Sequence, residues 1–165
     1  MSRSIRSAYK ALLQPATLLA VNTVGPVQNC KLHRFSELVV TLAVTAASRD
    51  AGTETYDVYI TTTDGVSTWD LVHFTQVAST GAKTFTARVL AGGFMPETIT
   101  GATPGVAALD PGVMKTDTSG SAQGILTLAS GMVRHGPFGD SIGYQLVVAN
   151  APVTGLAFSI QIEAR

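Results

Sequence analysis

Thr55–Phe74 reads TYDVYITTTDGVSTWDLVHF. Tyr56, Val58 and Ile60 alternate with Thr55, Asp57 and Thr61. That period of two belongs to a strand with one face inward and one face outward. Asp64-Gly65 then supplies a hairpin turn, because glycine reaches positive φ without steric cost. Beyond the turn the alternation is less clean. Trp69, Leu71 and His73 fall on one face, Val72 and Phe74 on the other. A strand apolar on both faces belongs in the middle of a sandwich or at a subunit interface.

Working outward, the same period recurs. Ala16–Val24 reads as a first strand. Ser36–Ala46 presents Leu38, Val40, Leu42 and Val44 on one face. Lys83–Leu90 presents Phe85, Ala87 and Val89, and Ile142–Ala149 presents Tyr144, Leu146 and Val148. Leu156–Glu163 is the clearest, with Leu156, Phe158, Ile160 and Ile162 facing in. Gly124–Ala129 is a short apolar run that fits a further strand. Arg49-Asp50-Ala51-Gly52 reads as a turn, and Asn150-Ala151-Pro152 with Gly155 is expected to close a last hairpin. Long helical periods are missing, apart from residues 3–13. There Ile5, Tyr9 and Leu12 share one face and Arg3, Arg6 and Lys10 another, which predicts a short amphipathic helix stopped by Pro15.

The fold class that follows is all-β, an antiparallel β-sandwich or jelly roll over residues 16–165, preceded by an extended N-terminal arm, residues 1–15. One long excursion, Gly92–Gly124, interrupts the sandwich. Seven of the sixteen glycines and three of the seven prolines lie in it, and it is too long for an ordinary loop. Its Phe94, Met95, Val113 and Met114 make it more apolar than a plain tether. It is therefore expected either to pack on a neighbouring subunit or to fold back over its own sandwich.

At 165 residues the chain suits one domain with its own core. Only 13% of residues are charged, 45% are apolar, and mean hydropathy is +0.28. So little charge fits a surface partly covered by other subunits. Net charge is zero, but Arg3, Arg6, Lys10, Lys31 and Arg34 all precede the first acidic residue, Glu37. The rest of the chain is correspondingly acidic, so the arm is suited to an acidic partner. Without a dense basic run or interleaved aromatics, nucleic acid is not an expected partner. No stretch reaches the roughly eighteen apolar residues of a membrane span. Residues 1–24 join early arginines to the apolar ATLLAV, but Gln14 and Pro15 break the run and no small-x-small site follows. An uncleaved arm is expected.

Candidate chemistry is sparse. Cys30-Lys31-Leu32-His33 offers two zinc ligands where a structural site needs four. Gly139-Asp140-Ser141 matches the serine block of one lipase class in three residues only, with no histidine after it; a turn before a strand explains it. His73 reads as a histidine hydrogen-bonded within the sheet, or as a pH-sensitive contact. Asp50, Asp57, Asp64 and Asp70 lack the spacing of a calcium loop. No enzyme activity, cofactor or metal is expected.

Two blocks carry a resemblance. ETYDVYITTTDGVSTWDLVHFTQV (54–77) and GDSIGYQLVVANAPVTGLAFSIQIEAR (139–165) resemble segments of small β-sandwich virion structural proteins of tailed bacteriophages, of the head decoration (cement) type. They cover about a third of the chain. The sequence departs from that pattern at Gly92–Gly124 and at Gly143, where such proteins often carry a basic residue. The resemblance implies a virion component that binds the major capsid protein across capsomer junctions, as a homo-oligomer with a trimer favoured. Arg3, Arg6, Lys10, Phe94, Met95, Val113 and Met114 are then the expected contacts. Removing residues 1–14 should abolish binding and spare the fold. Alternatives are a tail or tail-completion protein, or a carbohydrate-binding module stacking sugars on Trp69 or Tyr59.

Overall fold

A computed structural model describes residues 9–91, 128, 130–150 and 152–165. Ten strands are present among them: β1 (Tyr9–Leu19), β2 (Thr23–Val24), β3 (Gln28–Asn29), β4 (Glu37–Ala47), β5 (Thr55–Thr63), β6 (Thr68–His73), β7 (Lys83–Leu90), β8 (Met132–Val133), β9 (Ser141–Ala149) and β10 (Leu156–Ala164). A single 3-10 turn, Leu32–Arg34, separates β3 from β4. The strands form two sheets, ordered β1-β10-β4-β7 and β2-β9-β5-β6-β8, with β3 also on β9. Every pairing is antiparallel. The chain is an all-β sandwich.

The core is the one the alternation implies. Leu38, Val40, Leu42 and Val44 of β4, with Leu156, Phe158, Ile160 and Ile162 of β10, are buried from one sheet. Tyr56, Val58 and Ile60 of β5, with Ile142, Tyr144 and Leu146 of β9, are buried from the other. All belong to one contiguous cluster. The Asp64-Gly65 turn forms as expected between β5 and β6. Gly65 has φ +91°, and the Asp64 carboxylate accepts the Val66 and Ser67 N–H groups at 2.9 and 2.7 Å.

Three expectations are corrected. First, Tyr9–Leu13 is strand, not helix. A match to the helical period over so few residues is weak, and such a helix is marginal alone in water. Here β10 offers a ladder along its whole length, from Tyr9↔Ala164 to Leu19↔Leu156. Pro15 lies inside β1, at a register shift between Gln14 and Thr17; an edge strand with a bulge tolerates its missing N–H. Second, β9 and β10 are not a hairpin, because they lie in different sheets. Asn150, at φ +63°, and Gly155, at φ +101°, shape an arch between the sheets instead. Third, His73 does not share a face with Leu71. A β-bulge between Ile60 and Thr61 leaves Leu71 as the extra residue, with Val72 opposite Ile60 and Asp70 opposite Thr61. Leu71 and Val72 are both buried, and the phase of the strand changes at that point.

Gly155 shows how closely the arch seats on β1. A Cβ there would lie 2.3 Å from the Leu19 carbonyl oxygen, whereas one at Gly65 would meet nothing within 4 Å. Gly65→Ala is expected to cost about 1–2 kcal/mol, the left-handed penalty alone. Gly155→Ala should cost about 1–3 kcal/mol more, from overpacking against backbone. Urea unfolding followed by Trp69 fluorescence compares them; equal costs would mean that the arch is not seated on β1.

Candidate functional site

Of the residues the sequence nominated for partner contact, only Lys10 is described. Arg3, Arg6, Phe94, Met95, Val113 and Met114 lie outside the described residues, as does most of Gly124–Ala129. Lys10 sits on β1, opposite Glu163 of β10, and its ammonium is 3.4 Å from the Glu163 carboxylate. The Arg165 guanidinium lies 2.9 Å from the same carboxylate. The hydrogen bond from Arg165, assisted by Lys10, holds the Glu163 carboxyl below the usual range. An exposed pair of this kind contributes little to stability.

The same strand carries a surface that charge reasoning missed. Leu12 and Leu18 on β1, Val21 beyond it, Val24 on β2 and Val27 before β3 are all solvent-facing, from 48% exposed at Leu12 to 76% at Val24. The segment 9–29 that bears them closes one margin of the sandwich, crossing from the edge of one sheet to the edge of the other. It is held there by side chains. Tyr9 Oη donates to Gln28 Oε1 at 3.2 Å, and Gln28 Nε2 donates to the Leu12 carbonyl at 3.3 Å. Tyr144 Oη donates to the buried Gln14 Oε1 at 2.6 Å. Gly25 N–H donates to the Tyr144 carbonyl at 2.9 Å. These exposed apolar side chains lie on the segment that borders the β1 edge, which no other strand among the described residues pairs, the kind of surface that other chains bind. The signal in the sequence was Leu18, Val21 and Val24 every third residue within the stretch read as a first strand, with Val27 continuing the spacing just beyond it.

A second cluster occupies the outer face of the other sheet. Asp57 and Tyr59 of β5, Asp70 and His73 of β6, and Gln76 form this cluster; Leu128 lies against it, and β8 extends the sheet beyond β6. His73 is buried. Its Nδ1 lies 2.7 Å from the Leu128 carbonyl oxygen and its Nε2 2.8 Å from Asp57 Oδ1. The Tyr59 ring stacks on it, centroids 3.9 Å apart. Gln76 Nε2 donates to Asp57 Oδ2 at 2.8 Å, and Gln76 N–H donates to Ser130 Oγ at 2.9 Å. Leu128 N–H donates to Asp70 Oδ2 at 3.3 Å. Burial pushes the Asp57 carboxyl up, but the His73 and Gln76 hydrogen bonds and the His73 charge together outweigh it and hold it below the usual range. Burial also pushes Asp70 up, and there it prevails over the Leu128 N–H and the charges of Arg134 and His73.

This arrangement anchors chain to chain. Both nitrogens of the His73 ring are engaged by the protein's own acceptors, so neither faces an open space in which a substrate would sit. The weaker motifs resolve into local structure. His33 Nδ1 lies 2.6 Å from Asp140 Oδ1. Among the described residues no three His, Cys, Asp or Glu side chains gather as metal ligands. Gly139-Asp140-Ser141 is the turn into β9: Gly139 N–H donates to Thr62 Oγ1, and Thr62 Oγ1 donates to the Ser141 carbonyl, at 3.0 and 2.7 Å. Trp69 packs partly buried against the core, its Nε1 donating to the Pro137 carbonyl at 3.3 Å. Among the described residues no helix is long and apolar enough to cross a membrane. Comparison with known families, curated proteins and solved structures finds no match.

Proposed function

We propose that this chain is a structural virion protein of a tailed bacteriophage, a decoration or cement protein that binds the major capsid protein across capsomer junctions. The observation that carries the reading is the apolar margin formed by Leu12, Leu18, Val21, Val24 and Val27. Each Å² of apolar surface removed from water contributes about 25 cal/mol, so a row of five such side chains gives adhesion without chemistry. The low charge of the chain and its two phage-like sequence blocks point the same way. Arg3, Arg6 and Lys10, at and just before β1, are placed in sequence to steer this margin toward an acidic shell. Copies arranged as a homotrimer would present three such margins, and binding at several points raises avidity steeply.

Gold-labelled antibody imaging of virions tests the location. Dense label over the head is the expected result; label confined to the tail would replace this reading with a tail or tail-completion role, and unlabelled virions would refute both. The margin is tested by Leu18→Asp with Val24→Asp. Both side chains face solvent, so the fold should be unchanged within about 0.5 kcal/mol, while co-sedimentation with purified undecorated heads should fall at least about tenfold. Undiminished co-sedimentation would place the contact elsewhere.

A further inference from the structure

We propose that His73 is a pH-sensitive clamp that fastens Leu128 to the outward-facing side chains of β5 and β6, closed while the ring carries two protons and loosened when it loses one. The inference rests on the geometry of the cluster and is independent of the head-decoration reading. A carbonyl oxygen only accepts hydrogen bonds, and an ionised carboxylate only accepts. His73 faces one of each, the Leu128 carbonyl at 2.7 Å and Asp57 Oδ1 at 2.8 Å. A neutral imidazole has one N–H and satisfies one of them; the imidazolium satisfies both. The Gln76 amide on the second Asp57 oxygen supports the ionised carboxylate, and the Tyr59 ring lies flat against the imidazole, a placement that favours a cation.

The groups that face the ring are Asp57 and Tyr59 from β5 and Asp70 from its own strand, with Arg134 acting on Asp70 from the segment after β8. Next to Leu128, backbone bonds hold β8 along β6: Gly131 N–H donates to the His73 carbonyl at 2.9 Å, and Arg134 N–H to the Leu71 carbonyl at 2.8 Å. Removing one ring proton leaves either the Leu128 carbonyl or Asp57 Oδ1 without its His73 donor. The sign follows: the clamp is intact above the lowered Asp57 titration and opens as pH rises through the loss of the ring proton.

The test uses the full chain, with ring nitrogen NMR of His73 and hydrogen exchange of the Leu128 and Gly131 amides, corrected for intrinsic rates, across one pH series. Both ring nitrogens should be protonated at the acid end. Protection of the two amides should fall about tenfold at the pH where one ring proton is lost, since a hydrogen bond to a charged group is worth about that factor. Trp69 fluorescence should report an intact fold throughout. Asp57→Asn supplies the second variant. Its amide donates to an unprotonated Nε2, so a neutral ring satisfies both partners and the step in protection should vanish. A ring carrying one proton throughout, a ring that keeps both until the sandwich unfolds, protection indifferent to the ring proton, or a step that persists in Asp57→Asn would each overturn the clamp.

Discussion

Deleting residues 1–14 is expected to unfold the sandwich or bring it close to unfolding, whereas deleting residues 1–8 leaves its urea midpoint unchanged. The shorter deletion ends where β1 begins. The longer one removes Leu13, which is buried, and Gln14, the acceptor for Tyr144 Oη at 2.6 Å. Loss of a buried leucine costs about 2–5 kcal/mol, and an unsatisfied buried hydroxyl about 1–3 kcal/mol. Set against a typical stability of about 5–15 kcal/mol, the sum leaves little. The β10 backbone from Ile160 to Ala164 would also become a bare edge, prone to pairing with other chains. Urea unfolding and light scattering of the two truncations decide the matter. A folded, monodisperse 15–165 fragment would show that β1 is a dispensable arm, as its basic residues suggest from sequence. The structure makes the arm's root, residues 9–14, part of the sheet.

The second large effect is expected at Phe158. The ring is fully buried on β10 and meets Tyr144 of the opposite sheet edge-on, centroids 5.9 Å apart at 84°. Phe158 lies opposite Val44 on one side and Thr17 on the other. Through Tyr144 and Gln14 the contact continues to β1. One side chain therefore touches the packing of both sheets at the strand that joins edge to centre. Phe158→Ala should lower stability by about 3–5 kcal/mol from lost burial and the cavity left behind. Phe158→Leu should recover most of it, being a milder change in volume, but not the roughly 0.5–1.5 kcal/mol of the aromatic pair. Chemical denaturation of both variants measures this. A cost below about 1.5 kcal/mol for the alanine would mean that the cavity closes and the inter-sheet packing is looser than drawn.

The strands were legible because alternation is a local property. β4, β5, β7 and β10 each show it within a few residues and bury the face that the pattern names, and β9 does so at Tyr144 and Leu146 but leaves Val148 partly exposed. Where the local pattern was ambiguous, the structure departs from it. Residues 9–13 match a helical face through Tyr9 and Leu12, yet β10 draws them into a ladder and leaves Leu12 in solvent. One extra residue at Leu71 re-phases β6 and turns His73 toward Asp57 and Tyr59. The histidine itself was visible in the sequence, but its partner Leu128 is distant along the chain and contributes only backbone, which no residue type announces.

By itself, then, the sequence determined the class of the fold, the faces that turn inward and the turn at Asp64-Gly65, because side-chain periodicity and backbone conformational preference act over a few residues. Tertiary structure decided which sheet each strand joins, that β9 and β10 arch between sheets instead of pairing, and that segment 9–29 leaves Leu12, Leu18, Val21, Val24 and Val27 exposed while Leu13 is buried. The physical reason is that a strand with one apolar face is equally satisfied by either sheet. Its membership is settled only by the backbone hydrogen bonds and core contacts offered by strands far away in the chain.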